Sequence, residues 1–221
     1  QFMNYLEMLQ ELKRKLQQVE DLIKELREHP VLKEQFKDMN DLKMLKNLKE
    51  QLEPVGYLTD LLTYDRKLKD QFQGMDGIEM LQKLKEQVEN SIEMSRDHPM
   101  LKDSQLFVEN LIDRLRKHSM LKDSFQGMTD LEILKKIKEQ IEPVGYLTDM
   151  LRGHPNLVDS FEGMNDIEML QGLKRQLRHV ELLIEMLRGD LILNGQFKGM
   201  SDLKMLQKLK GQLQQGIEET K

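Results

Sequence analysis

Histidine, acidic side chains and methionine are the residues through which this chain would do chemistry, because it has 5 His, 39 Asp and Glu, 16 Met and no Cys. The missing thiol excludes disulfides and thiolate metal sites, although it selects no compartment. His29, His98, His118 and His154 stand at similar junctions, and His179 does not. A helical zinc pair needs two histidines four residues apart, and no such pair occurs. The four junction histidines are therefore read as helix-end groups, where an imidazole meets the negative end of the helix dipole. The acidic stretch from Asp123 to Asp130 does not alternate ligands as a calcium loop does, so it is read as solvated caps. No phosphate-binding loop and no Gly-x-Ser-x-Gly elbow is present, and no serine has a histidine at a telling offset. No catalytic, cofactor-binding or metal-binding residue is assigned. The chain is expected to be non-enzymatic and to carry no cofactor.

The methionines fall into two series. Met8, Met44, Met80, Met169 and Met205 share one position, and Met3, Met39, Met75, Met128, Met164 and Met200 share another. Thioethers fill irregular core gaps and also form pliant binding surfaces. Core filling is the preferred reading, and a groove for a peptide or an apolar ligand is the alternative.

The elements that hold these residues follow from a repeated pattern. Phe36 and Phe72, Phe125 and Phe161, and Phe161 and Phe197 are each 36 residues apart. The units run approximately 1–35, 36–71, 72–104, 105–124 (shortened), 125–160, 161–196 and 197–221 (truncated), forming one array over residues 1–221. Glu50–Leu62 and Glu139–Leu151 are nearly identical and lie 89 residues apart, which suggests that a block of units was copied together. Alanine is absent throughout, as copying of one alanine-free unit would leave it. The chain opens on Gln1 rather than Met, and its last unit stops mid-helix, which points to a fragment or a processed chain.

Within a unit, Leu170, Leu173, Leu177, Val180, Ile184 and Leu187 follow at spacings of three and four, as do Leu9, Leu12, Leu16, Val19, Ile23 and Leu26. This is the stripe of an amphipathic helix of roughly 24 residues. Leu22, Leu182, Leu183 and Met186 widen the stripe, so a multi-helix core fits better than a two-stranded coiled coil. Asn165 or Asp166 caps its start. It ends near Arg188-Gly189, or at His-Pro in other units. A short helix then starts at Pro155 and carries Leu157, Phe161 and Met164, with Gly163 at its end, matching Gly74, Gly127 and Gly199. Pro54 and Pro143 fall inside two long helices, each followed by a glycine, Gly56 and Gly145. They are expected to kink or split those helices. The bend is read as structural, with a hinge or groove for a partner as the alternative.

One unit cannot bury its own stripe, so the fold class is all-α, a tandem helical repeat in a solenoid or an elongated helical bundle. The period is near that of tetratricopeptide and pentatricopeptide repeats. However, the chain has no alanine or tryptophan, and one helix of each unit is far longer than the other, so no function is carried over. Hydrophobic residues make up 38% of the chain and charged residues 33%, and the formal net charge of −5 is spread along it. No basic patch suits nucleic acid, and no apolar run reaches the length of a membrane span. The expected function is a protein–protein interaction scaffold, its partner another protein or the chain itself. The alternatives are a carrier or surface-active binder of lipid or another apolar ligand, and a self-assembling structural protein.

Overall fold

The computed structural model describes residues 4–97, 102–158 and 161–220, and among these it is all α-helical, with no strand. Long helices alternate with short turns: α1 Tyr5–Glu28, α2 Asp41–Tyr64, α3 Gly77–Asp97, α4 Lys102–Lys117, α5 Asp130–Gly153, the short α6 Pro155–Val158, α7 Asp166–Gly189, the short α8 Asn194–Phe197 and α9 Asp202–Thr220. Three further short segments, Leu32–Phe36, Lys69–Phe72 and Lys122–Phe125, are 3-10 turns.

The helix starts follow from their caps. Asn4, Asn40, Asp76, Thr129, Asn165 and Ser201 each accept from the backbone N–H three residues on, at 2.8–3.3 Å. Asn165, rather than Asp166, is thus the cap of α7, and Glu168 returns a bond to its backbone N–H to complete a capping box. Asn4 and Glu7 do the same for α1.

The approach to each start is a tight turn in which a methionine N–H donates to the phenylalanine carbonyl three residues back, as Met75 does to Phe72 (3.2 Å) and Met128 to Phe125 (3.2 Å). Gly74, Gly127, Gly163 and Gly199 have φ near +77°. With Gln73 at φ −60°, ψ 134°, the pair Gln73-Gly74 forms a type II turn, which demands a left-handed third residue. The first copy has Asp38 in place of glycine. There Lys37 moves to φ −53°, ψ −45°, a type I turn that needs no positive φ, and Met39 still bonds Phe36 at 3.2 Å.

The stripe of α7 is buried from Leu170 to Leu187, and that of α1 from Leu16 to Leu26, with Leu9 and Leu12 half-buried. Leu22 also enters the core and Leu183 is half-buried, but Leu182 and Met186 are exposed and do not widen the stripe as expected. Met44, Met80, Met169 and Met205 fill the core, whereas Met8 in the same series is exposed. Met39, Met75, Met128, Met164 and Met200 are half-buried in the turns, and Met3 lies outside the described residues.

Neither proline splits its helix. α2 runs through Pro54 and α5 through Pro143 as continuous 24-residue helices. Proline lacks the N–H that would bond four residues back, so the Glu50 and Glu139 carbonyls lose their helical donor. One turn later Thr59 donates to the Val55 and Gly56 carbonyls, and Thr148 to those of Val144 and Gly145, at 2.9–3.1 Å. The short helix starts at Pro155 as expected and spans Pro155–Val158 among the described residues. Leu157 and Phe161 are both buried, and the two residues that precede Phe161 lie outside the described residues.

The chain forms two compact units, each drawn from separated stretches: residues 1–49, 150–162 and 172–221, and residues 50–149 and 163–171. In the first unit the main packing is α1 on α9, the first long helix on the last. The α1–α9 seam is polar along one edge. Lys210 donates to Gln17 and Glu20, both at 2.6 Å, and Gln207 to Glu20 at 3.0 Å, while Lys13 bonds Gln214. Burial raises the Glu20 carboxyl, but the hydrogen bonds from Lys210, Lys24 and Gln207 outweigh it and hold the carboxyl down, at about 2 against an ordinary 4.5. A carboxyl lowered by folding stabilises fully above its unfolded value and loses that contribution as pH falls through its folded value. Glu20 should therefore contribute about 3 kcal/mol at neutral pH, lost between about pH 4.5 and 2. Urea melts of the native chain and of Glu20→Gln should differ by that amount at pH 7 and converge towards pH 2. Parallel curves would show that Glu20 is not held as described.

The second unit buries Leu58, Leu62, Phe72, Leu84, Phe107, Leu111, Phe125 and Ile137, with the Phe72 and Phe107 rings 5.7 Å apart and tilted. Lysines cross the phenylalanine faces in both units: Lys83 over Phe72, Lys136 over Phe125 and Lys208 over Phe197, at 5.4–5.6 Å. Each ammonium also caps the carbonyl before its phenylalanine, Gln71, Ser124 or Gln196.

Candidate functional site

A concavity built from singled-out residues lies in the second unit, where α5 passes through Glu142-Pro143-Val144-Gly145-Tyr146. It has a volume of about 190 Å³. α3 supplies Ile78, Leu81, Gln82 and Lys85, which lie three or four apart and so share a helix face. α5 supplies Ile141, Val144 and Gly145 to the floor and Glu142, Tyr146 and Asp149 to the rim. Leu81, Ile141 and Val144 are buried, and Tyr146 is 36% exposed.

One local feature of α5 opens the groove: Gly145 has no side chain, and a Cβ built there meets nothing within 4 Å. The rim has opposite signs on its two sides, with Lys85 on α3 and Glu142 and Asp149 on α5. Glu89 lies 3.9 Å from Lys85 and 3.8 Å from Lys138, and ties α3 to α5 beside the groove. The lining is an apolar floor with a tyrosine hydroxyl and charged groups around it. The near-identical copy of this stretch in α2 has a different environment. Its Tyr57 lies against His118, ring centroids 5.8 Å apart.

No family model, curated protein or solved structure matches this chain. The geometry of its own residues therefore carries the functional reading.

Two of the junction histidines, His29 and His118, act as caps. His29 Nδ1 accepts from the backbone of Val31 and Leu32, both at 3.1 Å, and His118 Nδ1 from Met120 at 3.1 Å. Asp65 and Asp190 take the same part at matching junctions, Asp65 accepting from Lys67 and Asp190 from Ile192 and Leu193. An aspartate in place of a histidine keeps a hydrogen-bond acceptor at this position. His154 Nε2 lies 3.5 Å from Glu25, His179 is exposed, and His98 lies outside the described residues. Among the described residues no three His, Asp or Glu side chains converge to hold a metal ion, and no helix is long and apolar enough to cross a membrane.

Sequence reasoning missed a set of clasps. Arg27, Arg116 and Arg188 each bond an aspartate 14 residues on, Asp41, Asp130 and Asp202, at 2.8 Å, and also the methionine carbonyl of the intervening turn, at 2.8–3.0 Å. The recurring Arg and Asp at that separation were the available signal.

Gly145→Ala should stabilise the chain by about 0.5–1 kcal/mol, because helical glycine costs backbone entropy and the added methyl meets no atom. A thermal melt checks this, and a lower midpoint would show that the turn is not an unstrained helix.

Proposed function

We propose that this chain is a non-enzymatic helical-repeat protein that acts as a protein–protein interaction scaffold, and that the α3–α5 groove takes an apolar side chain of its partner. The repeat reading rests on the recurring cap, turn, Phe–Lys and Arg–Asp geometries, each at the same place in its unit. In this reading the first and last repeats pack on each other through α1 and α9. The observation that carries the binding role is the groove itself, an apolar floor of Ile78, Leu81, Ile141 and Val144 under a rim of Lys85, Glu142, Tyr146 and Asp149.

Size chooses between a protein partner and an apolar cargo. A volume of about 190 Å³ is below the roughly 300–1,000 Å³ of pockets that enclose whole small molecules. It suits one or two side chains of a peptide laid across the rim, with the two charged sides orienting the segment. Selection from a random peptide library tests this. Enriched peptides should share one large apolar residue and lose binding to Gly145→Phe, which fills the groove. Failure to enrich, or binding indifferent to Gly145→Phe, would contradict the reading.

A further inference from the structure

We propose that the N-terminus of α5 is a self-association surface, and that its occupant is the same surface of a second copy of this chain. α2, α5 and α9 start with Asp-Leu and α7 with Asp-Ile, each directly after its cap, and α3 starts with Gly-Ile. Inside the chain such starts are paired with one another. Asp41 at the start of α2 accepts from the Leu203 N–H of α9, and Asp202 at the start of α9 accepts from the Leu42 N–H of α2, both at 3.0 Å. In each carboxylate one oxygen takes the partner helix and the other takes the clasping arginine. The start of α3 packs on the start of α7 in the same register. Gly77, at the Asp41 position, lies so close to Ile167, at the Leu203 position, that a Cβ would fall 2.0 Å from Ile167 Cγ1. Only glycine fits there.

α5 carries the same motif without a mate. Arg116 clasps Asp130 Oδ1 at 2.8 Å, as in the other copies. Its second oxygen and the Leu131 N–H take no partner among the described residues. The Asp130 side chain is 72% exposed, against 10% for Asp41 and Asp202, and Leu131 is exposed at 37%. The surface is self-complementary in charge. It presents a carboxylate and the positive, donor-bearing end of a helix side by side, so a twofold axis sets each against its complement on the other copy. The chain already makes this pairing between α2 and α9. The contact spans about one helical turn per copy, so the dimer is weak and reversible, and its isologous geometry closes it at two copies.

Because the native chain has no cysteine, a single introduced thiol reports the contact. Full-length Leu131→Cys under mild oxidation should form disulfide dimers roughly tenfold faster or more than Lys69→Cys, an exposed control. Sedimentation velocity at hundreds of micromolar should show the native chain partly dimeric. Asp130→Arg and Leu131→Glu, each with unchanged helical circular dichroism, should both be monomeric. A native chain monomeric at every concentration, equal cross-linking of the two thiols, or a dimer that survives both charge variants would overturn the proposal. If one variant loses its fold, the other and the thiol rates decide.

Discussion

Phe125→Ala should destabilise the chain by about 3–5 kcal/mol, the range for emptying a fully buried aromatic site. The ring is 1% exposed and Lys136 stands over its face at 5.4 Å. The Phe125 carbonyl also accepts from Met128 and so closes the turn into α5. The lost ring removes the floor on which the lysine stem lies, so Lys136 loses its capping geometry to Ser124 as well. Phe36 and Phe197, each also 1% exposed, should behave alike. Phe161, at 3%, should fall in the same range. Urea unfolding measures the effect. The midpoint should drop with the slope unchanged, because the folded chain buries nearly the same surface. An unchanged midpoint for Phe125→Ala would show that the ring is not part of the core.

The second large effect concerns the paired helix starts of the first unit. Asp41→Ala and Asp202→Ala should each cost about 2–4 kcal/mol, because each removes the acceptor of one arginine and of one part-buried helix N–H. The two losses should not add. Both carboxylates belong to one reciprocal arrangement, so the double variant should be less destabilised than the sum by roughly 0.5–3 kcal/mol. A double-mutant cycle by denaturant titration gives this coupling directly. Strict additivity would mean that the two helix starts are independent. Asp130→Ala is the internal comparison: it removes the same clasp at an exposed site without a mate, and should cost under about 1 kcal/mol.

Local structure was legible in the sequence because its causes are local. The stripe from Leu170 to Leu187, the cap before it, the glycine turns and the Pro155 start each depend on residues within one or two turns of each other, and the structure has them. What was not legible depends on contacts between distant segments. Leu182 and Met186 have the spacing of a core face, but both stay exposed, and an apolar side chain does not announce whether a neighbour arrives. The α1–α9 packing joins residues about 190 positions apart, as Gln207 and Lys210 reach Glu20, and no periodicity encodes it. Pro54 and Pro143 were expected to kink or split their helices. They do not split them, because packing of Val55, Leu58 and Leu62, and of Val144, Leu147 and Leu151, holds the turns beyond each proline. The glycine beside Pro143 was visible as an interruption, but that it leaves a groove depends on α3 lying across from it.

The most direct test of the binding role is methyl NMR of the full chain, labelled at isoleucine, leucine and valine, titrated with a peptide enriched on it. The account predicts that the largest shifts fall on Ile78, Leu81, Ile141 and Val144 and vanish in Gly145→Phe. Shifts centred on the exposed Leu182, Leu191 and Ile192, with the groove methyls unmoved, would contradict it.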